Sequence, residues 1–161
     1  MVRRVTFVVR EPQMTDAEAI PALHVATWRE TYEHLLPEGF FTADVADMRR
    51  RMWSQILSTR RPEHTVRVAE ADGGLIGFAM SGRSDDDGAQ LYILYVLAAH
   101  HGTGVGQALF DAVLGEGPAS LWVATENPRA IAFYRRNGFA FDGAEQSDPG
   151  TPGIVEARMV R

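Results

Sequence analysis

The chain contains no cysteine. That removes disulfides, thiolate nucleophiles and cysteine-held metals together. Any apolar run of membrane length is also missing, since a spanning helix needs about 20 such residues. No signal peptide is recognisable, because residues 1–12 carry arginines but read as a strand. There is no internal repeat, linker or low-complexity segment. Nor is there a surplus of positive charge. The formal net charge of −5 argues against bulk nucleic-acid binding and leans towards a cationic substrate. What remains is the expectation of a cytoplasmic protein with no nucleic-acid or membrane partner. At 161 residues it is long enough for one domain with a real core.

Residues 5–10 read as a first strand, ended by Pro12. Thr15 and Glu18 have the spacing of a capping box. Pro21 lies past the first turn of that helix, where it bends the helix or delays its start. Val25, Trp28, Tyr32 and Leu35 then form an amphipathic stripe, and Pro37 and Gly39 stop it. Residues 43–57 predict a second helix with Val45, Met48, Met52 and Ile56 inward. Arg49, Arg50 and Arg51 fall on its other side and read as a solvated face. Residues 65–70 and 75–81 alternate as strands around the hairpin signal Asp72-Gly73. Asp85, Asp86 and Asp87 read as a solvated loop, or as a rim that attracts a cation. One short acidic run without other ligands is a weak metal site, and no metal is expected.

The most informative stretch is 90–114. Residues 91–98 are almost unbroken apolar residues, the length of a buried strand. Gly102, Gly104 and Gly106 follow, and Val105, Ala108, Leu109, Ala112 and Val113 then recur at helical spacing. The reading is strand, glycine turn, helix. A helix start carries unpaired N–H groups and the positive end of the dipole, and glycine lets an anion approach them. A triphosphate loop needs Lys and then Ser or Thr after its last glycine, whereas Gln107 and Ala108 stand here. A dinucleotide loop needs a third glycine at 107. A plain strand-to-helix turn with extra glycine accounts for the same residues.

Farther on, residues 120–124 form a short apolar strand and 128–137 a helix. Pro128 suits its first position and Asn137-Gly138 its end. Taken alone, this is an amphipathic helix with Phe133 and Tyr134 as core aromatics. Residues 139–145 and 154–160 are two last strands, so the order is β-α-α-β-β-β-α-β-α-β-β.

Two motifs carry a resemblance. HHGTGVGQAL after LYVLAA resembles the acyl-CoA loop of the GNAT superfamily of N-acyltransferases, with His101, Gly104 and Gly106 in its pattern. His101 stands where Arg or Gln is usual. Asn127, Ala130, Phe133, Tyr134, Gly138 and Phe139 match the superfamily's second signature, at the matching distance. The first helix, with TWRETYEHLLP, looks like that of a common bacterial subgroup.

The resemblance implies an α/β fold with a mixed, mostly antiparallel sheet of about six or seven strands and about four helices, strands 4 and 5 being parallel and splayed. It implies transfer of an acetyl group from acetyl-CoA, as cosubstrate, to the primary amine of a small molecule or peptide. Leu94, Tyr95, Val96 and Leu97 would pair with the pantetheine arm and supply an oxyanion donor. The N–H groups from Gly102 through Thr103, Gly104, Val105 and Gly106 to Gln107 would cradle the pyrophosphate, with His101 at the edge. Asn127 would hold the pantetheine arm, and Tyr134 would protonate the departing thiolate. Arg129, Arg135 and Arg136 are candidates for the 3′-phosphate. Trp28, Tyr32 and Tyr92 are candidates for the amine pocket, although plain packing explains the same spacing. The base is open among Glu30, Glu33, Tyr92, His100 and a water chain, because no acid lies in 90–97. Relatives often form homodimers. A non-catalytic acyl-CoA sensor on the same fold is the alternative.

Overall fold

The computed structural model describes residues 4–85 and 88–161; Asp86 and Asp87 of the acidic loop lie outside them. The elements are β1 (Val8–Arg10), α1 (Ala19–Tyr32), α2 (Ala43–Ser58), β2 (Thr65–Ala71), β3 (Gly74–Arg83), β4 (Ala89–Val96), α3 (Val105–Val113), β5 (Ala119–Ala124), α4 (Pro128–Arg136), β6 (Ala140–Ser147) and β7 (Val155–Val160). The strands form one sheet in the order β1-β2-β3-β4-β5-β7-β6. Every neighbouring pair is antiparallel except β4 with β5.

Alternating residues send the two faces of the sheet into different cores. Ala69, Ala79, Leu121, Val123 and Met159 pack with Val105, Leu109 and Phe110 of α3 and Tyr134 of α4. Val68 and Phe78, each one residue away, pack with Ile20 and Leu23 of α1 and Trp53 and Leu57 of α2. Trp53 and Phe78 are fully buried, and each such side chain stabilises the fold by about 2–3 kcal/mol.

Several local expectations need correction. α1 begins at Ala19, so Pro21 falls inside its first turn, where its missing N–H costs nothing. The capping box belongs to Gln13 and Asp16, not Thr15 and Glu18. Asp16 wins because its carboxylate accepts the Gln13 N–H at 2.7 Å and also takes two bonds from the Arg10 guanidinium, at 2.8 and 3.0 Å. That guanidinium holds the Asp16 carboxyl below its usual range. The buried arc of α1 is wider than one stripe and centres on Ile20, Leu23, His24 and Thr27. The helix is sandwiched between α2 and the sheet, so two sides are covered. In α2 Met52 and Ile56 turn inward as expected and pack against the core, but the fully covered residues are Trp53 and Leu57, and Met48 is 48% exposed. Arg49 is not on the solvated face. Its guanidinium lies 5.1 Å from the Trp28 ring centre, and burial lowers its pKa.

α4 has a strong beginning and end. Asn127 accepts the Ala130 N–H at 3.2 Å, and Pro128 occupies the first position. Gly138 turns with φ +89, and the N–H groups of Gly138 and Phe139 return to the carbonyls of Arg135 and Tyr134 at 3.1 and 3.0 Å. This is a Schellman stop, and it fixes the backbone of Tyr134.

Candidate active site

β4 and β5 pair at Ala89–Ala119, Gln90–Ser120 and Leu91–Leu121, and then part. β4 continues to Val96 against β3 alone. The N–H of Leu97 reaches the carbonyl of Ile76 at 2.9 Å, which identifies that pair as hydrogen-bonded. Antiparallel ladders alternate hydrogen-bonded and non-bonded pairs. In this register Val96–Gly77 and Leu94–Ala79 are therefore non-bonded pairs. The N–H and C=O groups of Leu94 and Val96 consequently face the gap left by β5. Leu97, expected as a second donor, points its N–H away to β3.

The gap ends at the glycine turn. Gly102 and Gly104 have φ of +74 and +92, which glycine adopts at little cost. A Cβ added at either would meet no atom within 4 Å, so the turn lies open. Gly104 caps α3, whose first N–H groups have no side-chain cap. The side chains at the rim are otherwise engaged. Thr103 Oγ1 donates to the His100 carbonyl at 2.6 Å. His101 Nε2 sits 2.8 Å from the Val96 carbonyl oxygen, and burial lowers the pKa of its ring. Gln107 exchanges hydrogen bonds with Asn137. Val105 is buried in the core. Arg129 and Arg136 line the cleft beside the turn, while Arg135 covers the Phe141 ring instead.

The cleft has a volume of about 530 Å³ and runs from the glycine turn past Val96 to Tyr134, Asn127, Tyr32 and Glu156. Tyr134 is 8% exposed, and burial pushes its phenol well above the usual range, so it carries its proton at neutral pH. Burial also raises Tyr32, offset in part by hydrogen bonds with Asn127 and Tyr95. Tyr95 is raised by burial and by its neighbour Tyr32. These phenols are therefore neutral donors rather than bases.

The substrate candidates separate in the fold. Tyr32 lines the cleft. Trp28 stands behind it, ring centres 4.8 Å apart, with its indole nitrogen buried and unpartnered. Tyr92 touches the cleft, but its hydroxyl donates to the Arg83 carbonyl. Tyr32 and Ala124, which line the cleft, pack with Leu36 and Ile154 in a small buried cluster behind it. There the loop before β7 presses on the chain after α1, and a Cβ at Gly153 would lie 2.5 Å from the Leu35 carbonyl oxygen.

The base candidates separate as well. Glu33 is not in the cleft and lies 4.0 Å from Arg29. Glu30 reaches the cleft, where its carboxylate accepts the Ala98 N–H at 2.8 Å. His100 lines the cleft with Nδ1 buried and unpartnered. Sequence reasoning missed Glu156. Alternation along β7 sets it apart from core residues Ala157 and Met159, but only the insertion of β7 between β5 and β6 brings it beside Ala124.

A parallel strand pair that opens onto an uncapped, glycine-lined helix start suits a long ligand ending in phosphates. The description "Acetyltransferase (GNAT) family" matches residues 26–139, the span from α1 through α4. The chain belongs to the GNAT acetyltransferase family. A relative in Mycobacterium tuberculosis, an uncharacterized N-acetyltransferase, is 31% identical over 155 residues, covering 92% of this chain and 98% of that protein. The mycothiol acetyltransferase of Propionibacterium freudenreichii is 31% identical over 125 residues, 72% of this chain but 38% of its own length. The PaiA N-acetyltransferase of Thermoplasma acidophilum, solved in complex with coenzyme A, matches with a TM-score of 0.69 at 20% identity over 95% of this chain and 98% of that one. The likeness of that structure is one of fold alone. The GNAT architecture expected from the two motifs, with its mostly antiparallel sheet and splayed fourth and fifth strands, is the one observed.

Proposed function

We propose that this GNAT protein is an acetyl-CoA-dependent N-acetyltransferase acting on a primary amine by direct attack. The carrying observation is the parting of β4 from β5 after Leu91 and Leu121, which leaves the backbone groups of Leu94 and Val96 facing a gap that ends at an open glycine turn. The residues present fit the cosubstrate. Leu94 and Val96 would pair with its amide-bearing arm, and the N–H groups at 102–106 with Arg129 and Arg136 would hold its phosphates. Acetyl-CoA supplies a thioester carbonyl as the acetyl donor. The Val96 N–H stabilises the oxygen that gains charge as the amine adds. Tyr134, kept protonated by burial, gives its proton to the leaving sulfur. Asn127, already the cap of α4, orients the arm and holds Tyr32. A panel of amines incubated with acetyl-CoA, read by release of free thiol and by mass of the product, tests this reading. Binding of acetyl-CoA without thiol release for any amine would overturn it in favour of a sensor.

A further inference from the structure

Among the described residues, two carboxylates line the cleft, Glu30 and Glu156. Glu30 is already engaged by the Ala98 N–H. Glu156 is not comparably held. Its recorded hydrogen bond, from Gln146 Nε2, is a long 3.4 Å. Register places Glu156 across from Ala124 on one side and Gln146 on the other. The same register puts Trp122 and Arg158 on its face of the sheet, the face covered by α1. It lines the same cleft as Tyr32, Asn127 and Tyr134.

We propose that Glu156 receives the ammonium group of the acceptor and takes the proton that must leave before the nitrogen can attack. The inference rests on the acetyltransfer reading. An alkylammonium has three N–H bonds and a reference pKa of about 10.4. One proton passes to the Glu156 carboxylate and then to solvent. The freed lone pair forms the C–N bond, the C–S bond breaks, and a second proton ends on sulfur by way of Tyr134. The third stays in the amide. Burial raises the Glu156 carboxyl above its ordinary range, and Asp148 adds to this, which makes it a better proton acceptor near neutrality. The other groups facing it are Tyr32 and, along β7, Arg158, whose guanidinium lies 2.6 Å from Asp142. The acceptor class is a primary alkylamine that is cationic in solution.

The test uses the full-length protein, Glu156→Gln, Glu156→Asp and two amines from the panel, one strongly basic and one already neutral at pH 7. Calorimetry with acetyl-CoA comes first. Glu156→Gln keeps wild-type affinity. With the basic amine it loses roughly 10²-fold in kcat/KM, within the range for a positioned base. With the neutral amine the deficit falls to a few-fold, and Glu156→Asp recovers part of the rate. Equal deficits for the two amines, or none, would overturn the proposal. A wild-type protein that binds acetyl-CoA but acetylates neither amine would instead overturn the transferase reading beneath it.

Discussion

Leu91 and Leu121 form the last rung between β4 and β5. Beyond them the Leu94 and Val96 amides face the gap, while the Leu97 amide is held by Ile76 at 2.9 Å. Hydrogen exchange followed by NMR reads this directly. The Leu94 and Val96 amides exchange quickly in the free protein and become protected on addition of acetyl-CoA, whereas Leu97 is protected in both. Equal protection of Val96 and Leu97 in the free protein would contradict the assignment.

Tyr134→Phe removes one hydroxyl from a site only 8% exposed, with little change in packing. We expect kcat to fall by about 10²-fold, the low end of the general-acid range, with acetyl-CoA affinity within about twofold. A full-rate variant would take Tyr134 out of the mechanism.

The glycine cradle is best probed at Gly106. At Gly104 any side chain meets the strain of φ +92, so Gly104→Glu mixes folding with charge. Gly106 sits in α3 without such strain, and its nearest neighbour for a Cβ is Val96 at 3.9 Å. Gly106→Glu should weaken CoA binding by about tenfold or more, roughly 1.4 kcal/mol, with a smaller effect on thermal stability than Gly104→Glu. Unchanged affinity in calorimetry would refute a phosphate site at this turn.

His101 is held at the Val96 carbonyl, and burial keeps its ring neutral. His101→Ala should change CoA affinity by less than about threefold, under ~0.7 kcal/mol. A larger loss that grows below pH 6 would mean that the imidazolium contacts phosphate.

His24 gives the stability a pH dependence. It is 3% exposed, its Nδ1 accepts the Trp53 indole N–H at 3.0 Å, and burial lowers its pKa to about 3, with Arg49 contributing. Unfolded histidine titrates near 6.5, so between these values the unfolded chain binds the extra proton. Stability present above pH 6.5 is lost as pH falls towards 3, at up to about 1.4 kcal/mol per pH unit. Urea unfolding across this range should show a slope shallower by about one proton in His24→Gln. Parallel slopes would rule His24 out.

How much of this is legible in the sequence depends on how local the cause is. The strand, glycine turn and helix of 89–113 are written in neighbouring residues, as are the cap and stop of α4, but the apolar run of β4 reads as a buried strand and is largely part-buried, because β5 parts from it after Leu91. The inward turn of Arg49 is not, because a triple arginine reads as polar and only the packing of α2 against Trp28 reveals it. Thr15 and Glu18 have the right spacing for a cap, yet Asp16 prevails through Arg10, an ion pair that the spacing alone does not reveal. Glu156 becomes visible only once the strand order is known, since the alternation of β7 gives a face but not a neighbour.

Gly153 has a wider consequence. With φ +93 and a Cβ position only 2.5 Å from the Leu35 carbonyl oxygen, it allows no side chain without a shift of backbone. The segment bearing Glu156 and the one bearing Tyr32 are thereby locked in step, although more than a hundred residues separate them along the chain. A chimera that imports either segment alone from a relative should therefore lose activity rather than exchange acceptor preference. Only both segments moved as a unit should transplant it.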